Sequence, residues 1–263
     1  MAKIRIAIAA ALAVCAATAA NAADIARPVY KAPVMVPVVY NWSGFYLGGF
    51  AGAAFGGDSS AVDLDGWNST GTQWSYGLGN SFIGGGTIGF NWQAPGSAWV
   101  FGIEGEFGYL QLKGSAPDPI SPIDTFANPQ LGNWYGFAGA RVGYAWDRTL
   151  VYAKGGAAFV DSSTGTVDAC ASGACGGGLI DATASKTIST WAIGGGIEWA
   201  WVNNWTFKVE YLYIDLDKSY NVCGVPNGGG SFCWQHDVES VHTVKAGLNY
   251  KFDWGKTPVM AKY

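Results

Sequence analysis

Six charged residues stand out because each interrupts an apolar segment at mid-length: Glu104, Glu106, Arg141, Lys154, Glu210 and Lys245. Paired carboxylates can serve as general acid and base when their surroundings push their pKa values apart. Here the acids are interleaved with an arginine and two lysines, which favour the ionised form of every carboxylate. The set therefore predicts an interior cluster of ion pairs, which either seals a narrow lumen or rearranges to pass ions or water.

The two histidines, His236 and His242, offer little support for catalysis. Ser240 and Glu239 precede His242, and a serine, a histidine and an acid could form a hydrolase triad. Neighbouring residues of a strand point to opposite faces, so Glu239 and Ser240 cannot both lie beside His242. We therefore expect no enzyme and interpret His242 as a histidine at the outer end of a strand.

Two glycine triplets, Gly84–Gly86 and Gly194–Gly196, resemble phosphate-binding loops in composition alone. Neither opens a helix, so no nucleotide cofactor is expected, and we interpret the glycines as relief of crowding in a sheet. No basic stripe is present either, which makes nucleic acid an unlikely class of partner. No cofactor and no metal are expected.

Four cysteines follow the N-terminal segment: Cys170, Cys175, Cys223 and Cys233. Four cysteines allow three disulfide connectivities. Nearness along the chain favours Cys170–Cys175 and Cys223–Cys233, as expected for an exported protein. The rival is a metal site, but these spacings lack the close CxxC pairs of zinc ligands.

The N-terminus has the pattern of an export signal. Lys3 and Arg5 precede an apolar run, and Ala20–Ala22 supplies the small residues of a cleavage site. We predict a signal peptide over residues 1–22 and a Pro-rich leader over 23–41, because proline removes the donors that a strand needs.

After the leader the sequence alternates with the period of two that is typical of strands. We predict eight strands, each long enough to cross a bilayer at a tilt. They span 43–55, 80–92, 99–112, 133–146, 149–160, 187–199, 205–216 and 241–252. The connections alternate between short turns (93–98, 147–148 and 200–204) and long polar loops (56–79, 113–132, 161–186 and 217–240). This alternation is the pattern of a membrane β-barrel with short periplasmic turns and long extracellular loops.

Bulky apolar residues and charges occupy opposite parities of the strands, which suits either a soluble barrel or a membrane barrel. Aromatic residues favour the membrane, because they collect at strand ends as two interfacial rows. The row beside the short turns comprises Trp42, Trp92, Trp99, Trp146, Trp199, Trp205 and Trp254. The opposite row comprises Tyr109, Trp134 and Tyr213.

Four segments together resemble the small "porin family" outer-membrane proteins, also called outer-membrane immunogenic proteins. They are Trp42–Gly48 (WSGFYLG), Gly139–Ala145 (GARVGYA), Lys208–Leu216 (KVEYLYIDL) and Val244–Phe252 (VKAGLNYKF). The resemblance implies an OmpA-like barrel and a surface-exposed structural or antigenic role. Members usually end at the equivalent of Phe252, which the barrel-assembly machinery reads, whereas this chain continues to Tyr263. We expect the machinery to read Tyr250 and Phe252 internally.

The sequence thus predicts an all-β protein of a Gram-negative outer membrane, an eight-stranded antiparallel up-and-down transmembrane β-barrel over residues 42–254. Residues 255–263 would form a periplasmic tail. We expect the protein to have a structural role at the surface of the outer membrane. It would contact lipid and, through its long loops, cell-surface or host ligands. The alternative is a narrow porin-like channel for ions or small solutes.

Overall fold

The computed structural model describes residues 40–65, 70–169, 179–225 and 231–252. The predicted signal peptide, nearly all of the leader and the tail lie outside these residues. The described part consists of antiparallel strands, and no helix within it is long and apolar enough to cross a membrane. The strands are β1 (Gly44–Gly56), β2 (Asp58–Asp63), β3 (Gln73–Gly77), β4 (Asn80–Gln93), β5 (Trp99–Lys113), β6 (Ala116–Pro117), β7 (Thr125–Ala127), β8 (Gln130–Trp146), β9 (Thr149–Asp168), β10 (Ile180–Val202), β11 (Trp205–Gly224) and β12 (Phe232–Phe252).

Eight of the strands close into a barrel in the order β1–β4–β5–β8–β9–β10–β11–β12. The ring is completed by β1 and β12, which pair from Phe45 opposite Phe252 to Gly56 opposite Val241. Each strand pairs with its neighbours in an antiparallel ladder, so the membrane wall has no free edge. The predicted eight-stranded antiparallel barrel is confirmed.

The outer face of the barrel is apolar and the inner face carries the charges. On β5, Phe107 has 66% of its surface exposed, whereas the neighbouring Glu106 has 5% exposed. A charge on a lipid-facing wall costs about 2–4 kcal/mol at the bilayer midplane, so this segregation is what a membrane requires. The predicted parity of the strands is therefore confirmed.

Short turns join the strands at one end of the barrel, here called the turn side; the opposite end is the loop side. Asp147 and Asn203 adopt φ angles of 51° and 49° in two of these turns, a region that Asp and Asn tolerate better than most residues. β10 continues to Val202, so the third turn consists of Asn203 and Asn204 alone, shorter than predicted.

Exposed tryptophans form the predicted aromatic row on the turn side: Trp92, Trp99, Trp146, Trp199 and Trp205, joined by Trp201. The prediction for Trp42 is wrong, because its side chain is only 1% exposed. Residues 40–43, which precede β1, lie under the barrel, where the Trp42 indole N–H donates to the carbonyl of Asp147 at 3.3 Å. Trp254 lies outside the described residues.

The four long connections contain more strand than predicted. β9, β10, β11 and β12 run 20–23 residues, well past the loop-side end of the apolar belt. The first two connections fold into hairpins, β2–β3 and β6–β7, of which β2 pairs with β12 and β7 pairs with β9. We call these hairpins and the four strand extensions the cap. Polar composition suggested loops, but hydrogen bonds to distant strands hold these segments extended.

Within the cap the strand segments pair in two groups, β6–β7–β9–β10 and β11–β12–β2–β3. Apolar residues fill its interior, among them Trp74, Tyr76, Ile180, Val222 and Trp234. The same apolar cluster continues down into the loop-side half of the barrel. The cap therefore has a packed core and closes the loop side of the lumen.

Candidate functional site

Eight charged side chains meet inside the barrel, four acids and four bases. The acids are Glu104, Glu106, Glu198 and Glu210, and the bases are Arg141, Lys154, Lys208 and Lys245. They project from six strands of the ring, β5 and β8 to β12. The formal charges cancel, and all eight side chains are buried. We call this group the interior network.

Lys154 occupies the centre of the interior network. Its Nζ lies 2.8 Å from Glu104 Oε1, 2.7 Å from Glu106 Oε1 and 2.7 Å from Glu210 Oε1. Lys245 joins the same group at 2.9 Å from Glu210 Oε1. Buried charges are tolerated when they are paired and hydrogen-bonded, and each of these carboxylates contacts more than one cation.

Arg141 links the centre to the turn side of the lumen. Its Nη2 lies 2.9 Å from Glu198 Oε2 and its Nη1 3.3 Å from Glu104 Oε2, while its Nε donates to Asn91 Oδ1 at 2.9 Å. A planar guanidinium suits this task because it can serve several acceptors at fixed angles.

The structure brings together all six of the sequence-predicted lumen charges, and it adds two that the prediction left out. Lys208 lies 3.3 Å from Glu104 and 3.5 Å from Glu210, and Glu198 pairs with Arg141. The parity of both residues already pointed inward. Their height along the strands did not place them with the other charges, because they lie nearer the turns. The tilt of the strands brings them level.

Three tyrosines that were not predicted from the sequence donate hydrogen bonds to three of the acids. Tyr46 donates to Glu104 Oε2 at 2.7 Å, and Tyr152 donates to Glu210 Oε2 at 2.7 Å. Tyr135 donates to Glu106 in the same way. Their inward parity on β1, β8 and β9 is the signal that could have revealed them.

Gly89 provides the space for Tyr46. A Cβ atom at position 89 would lie 2.2 Å from the Tyr46 hydroxyl oxygen, closer than two unbonded atoms can approach. A strand glycine here lets a neighbouring ring lie flat against the wall. The interior network thus depends on small residues as well as on charges.

Apolar side chains lie on both sides of the interior network. On the loop side Ile83, Leu110 and Leu212 belong to the large apolar cluster. On the turn side a smaller cluster surrounds Trp42 and includes Leu150. A lumen of eight strands is just wide enough for side chains to fill. The network is therefore enclosed from above and below.

Three carboxylates of the network stand close enough to hold a metal ion, since one oxygen each of Glu104, Glu106 and Glu210 lie within 4.8 Å of one another. Lys154 Nζ already lies within 2.8 Å of an oxygen of every one of them. An ammonium at that position supplies the positive charge that a metal would bring, so this donor set does not fit a cation site.

Ser240 and His242 both lie on the outer side of β12 near the loop-side rim. Ser240 Oγ and His242 Nε2 are 3.5 Å apart, but the other ring nitrogen, Nδ1, contacts the Tyr211 hydroxyl at 2.7 Å. Among the described residues no acid hydrogen-bonds to the imidazole, as a triad requires. Glu239 is on the adjacent parity, so the three residues do not form a catalytic arrangement.

A disulfide joins Cys223 and Cys233, which face each other across the β11–β12 ladder. It cross-links the cap end of this strand pair, next to the final pair of the ladder, Gly224 and Phe232. Cys170 and Cys175, the other predicted pair, lie outside the described residues.

Comparison with known proteins gives the family. The model of the outer membrane protein beta-barrel domain matches residues 6–252. The chain belongs to this family of outer-membrane β-barrels. The "31 kDa outer-membrane immunogenic protein" of Brucella melitensis biotype 1 is 34% identical over 241 residues, covering 90% of this chain and 95% of the relative. The predicted resemblance to outer-membrane immunogenic proteins is confirmed.

A second relative and a solved structure are also similar to this chain. The "22 kDa outer membrane protein" of Rhizobium leguminosarum bv. viciae is 30% identical over 218 residues, 81% of this chain and 79% of that protein. The outer membrane protein OprG from Pseudomonas aeruginosa aligns with a TM-score of 0.45 and 14% identity, over 80% of this chain and 97% of that one. Membership in this family places the protein in the outer membrane.

In the cap of this outer-membrane β-barrel, His236 is fully buried between three strands. Its Nε2 lies 2.9 Å from the Thr166 hydroxyl of β9, and its Nδ1 lies 3.3 Å from the Tyr76 hydroxyl of β3. Burial lowers the pKa of His236 from 6.5 to about 4, against an opposing effect of nearby Asp237. The imidazole is therefore neutral in the folded cap at neutral pH.

Removing the central cation of the interior network should destabilise the barrel strongly. In Lys154→Met, three carboxylates lose a shared partner, and we expect a loss of about 3–5 kcal/mol in the free energy of unfolding. Urea titration in phospholipid vesicles measures it. Lys113→Met, at an exposed position, is the matched control with an expected change under about 0.5 kcal/mol. Equal stability of Lys154→Met and the wild type would show that the network contributes little.

The stability of the cap should fall as pH falls from about 6.5 to about 4. Over that window the unfolded cap binds a proton at position 236 that the folded cap excludes, so acid favours opening. The protection factors for amide hydrogen exchange in β2, β3 and the adjoining part of β12 measure this stability at each pH. His236→Gln should flatten the pH dependence, whereas the control His242→Gln should retain it. Protection factors that stay constant between pH 6.5 and 4 in the wild type would contradict the prediction.

Proposed function

We propose that the protein is a structural component of the outer membrane whose cap faces the outside of the cell. In this orientation the short turns and both ends of the barrel are periplasmic. Two features support it: membrane barrels have short periplasmic turns and longer extracellular segments, and the Cys223–Cys233 disulfide suits an oxidising compartment.

The observation that carries the proposal is the filled lumen. The interior network spans the middle of the barrel, the large apolar cluster lies above it, and the cluster around Trp42 lies below. An ion that passed through would have to displace paired charges and leave them uncompensated at low dielectric, which costs several kcal/mol for each one. A structural outer-membrane protein needs no such path.

The name of the Brucella relative supports a role at the surface, since that protein is called immunogenic. For the present chain the cap is the part available to cell-surface or host ligands. The arrangement around His242 offers no triad, so we propose no enzymatic role.

A narrow channel is the alternative, and the density of buried charge is the feature that favours it. Planar-bilayer recording of the purified, folded protein distinguishes the two functions. We expect no steady conductance steps at moderate voltage, because both clusters close the lumen. A cap-truncated variant that keeps the eight ring strands to the loop-side edge of the apolar belt should also stay silent, because the network remains. Reproducible steps from the wild type would favour the channel.

Assembly is proposed to use Tyr250 and Phe252 at the end of β12 as the signal for the barrel-assembly machinery. β12 ends at Phe252, where it pairs with Phe45 of β1. Deleting residues 253–263 should therefore leave insertion intact, as judged by heat-modifiable gel mobility of the outer-membrane fraction. Phe252→Ser in the full chain should lower insertion. Loss of insertion on deletion of the tail would overturn the proposal.

A further inference from the structure

β10 and β11 separate above the apolar belt. Their ladder runs from Val202 opposite Trp205 to Ala192 opposite Ile214 and stops there, although β10 continues to Ile180 and β11 to Gly224. Each extension stays paired on its other side, β10 with β9 and β11 with β12. The wall of the cap is therefore open between these two strands, and we call the opening the side window.

A bulge in β11 marks the lower edge of the side window. The pairing of β11 with β12 shifts register between Asp215 and Lys218, and a bulge bends the strand that carries it. At the same level the Thr190 hydroxyl of β10 donates to the Asp215 carbonyl, replacing the ladder bond with a side-chain contact. At the upper edge Gly224 packs against Ile180, where even a Cβ would lie 2.6 Å from Ile180 Cγ2.

Between these edges lies a cavity of about 330 Å³. This volume is at the lower end of the usual range for small-molecule sites, about 300–1,000 Å³. The side chains that give it chemical character are Ser162, Thr164, Lys186, Ser219, Tyr220 and Asn221. Hydroxyls, one amide, one aromatic ring and one ammonium are thus present, and the described cavity wall contains no carboxylate.

Two of the hydroxyls have unused hydrogen-bonding capacity deep in the cavity. Ser162 and Thr164 are only 3% and 2% exposed, and their oxygens lie 3.3 Å apart. One such bond uses one of the two hydroxyl protons and leaves the other available. Buried hydroxyls normally find a partner for each proton, and a ligand or ordered water in the cavity would supply it.

Lys186 and Tyr220 stand across the mouth from each other. Lys186 Nζ lies 6.0 Å from the centre of the Tyr220 ring, so the ammonium is near the ring without a carboxylate partner among the described ion pairs. Burial raises the pKa of Tyr220 to about 12, so its hydroxyl remains a donor at neutral pH. A flat ring, a cation and a floor of hydroxyls complement a small anionic molecule that itself carries many hydroxyls.

We propose that the side window binds an anionic saccharide, with Lys186 on its carboxylate or phosphate, Tyr220 against a ring face, and Ser162 and Thr164 on ring hydroxyls. Along the strands, Lys186 lies five residues from Trp191 of β10 and Tyr220 seven residues from Tyr213 of β11, on the loop side of the apolar belt. Saccharides of the outer leaflet occupy this region if the cap faces outward. A free acidic glycan from outside the cell has the same chemistry and reaches the same opening.

A peptide strand is the rival occupant, since the unpaired edges of β10 and β11 could accept one. The cavity volume argues against it, because about 330 Å³ lies at the lower end of the range for small molecules and an added strand of several residues needs more space. The proposal therefore commits to the saccharide, and the rival becomes an outcome of the test.

The test uses the full chain folded in detergent micelles, with calorimetric titration. The probes are lipopolysaccharide in mixed micelles, a soluble oligogalacturonate, and a neutral malto-oligosaccharide of the same length. We expect either or both acidic probes to bind at least tenfold more tightly than the neutral one. Binding to lipopolysaccharide alone identifies the membrane as the source, and binding to the oligogalacturonate identifies a free glycan.

Two variants and one control connect the binding to the side window. Lys186→Met should weaken binding of the acidic probe at least tenfold, and Ala184→Trp should abolish it by filling the cavity. Lys113→Met removes an equally exposed lysine elsewhere and should bind as the wild type does. Heat-modifiable mobility verifies that each variant is folded. Absence of binding to both acidic probes, equal binding of the neutral probe, or binding that Lys186→Met and Ala184→Trp leave unchanged would overturn the proposal.

Discussion

The fold depends on the compensation of charge inside a narrow lumen. Eight strands leave room for side chains and for little else, so every charge that turns away from lipid must find its partners there. Four acids and four bases meet that condition together, and Lys154 shows how, with three carboxylate contacts of 2.7–2.8 Å. The tyrosines, the apolar clusters and the glycine beside Tyr46 all serve the same end, because each either satisfies an acceptor or keeps water from the pairs.

Much of this arrangement could be predicted from the sequence, since a membrane imposes a strict parity on each strand. Glu104 and Arg141 pointed inward because their neighbours had to face lipid. Height was harder to predict, because strand tilt sets it and tilt depends on the register of the whole ring. Lys208 and Glu198 were missed for that reason.

The errors of prediction lie where distant parts of the chain meet. Trp42 resembles a girdle residue in sequence, yet residues 40–43 lie beneath the barrel and Trp42 is buried there. The polar connections resemble loops, yet β2 and β7 find pairing edges on β12 and β9. The side window was equally inaccessible, because it arises where a bulge bends β11 and nothing local marks where a ladder will stop.

The division of the ring strands has a mechanical consequence. β9, β10, β11 and β12 continue from the membrane wall into the cap, whereas β1, β4 and β5 end near the edge of the apolar belt. Any pull on the cap is therefore transmitted along four continuous backbones and loads their ladders in shear, with many hydrogen bonds resisting at once. A surface domain on a flexible tether would yield at its linker. Here the anchor and the cap are formed by the same strands, so the cap can bear traction without a hinge.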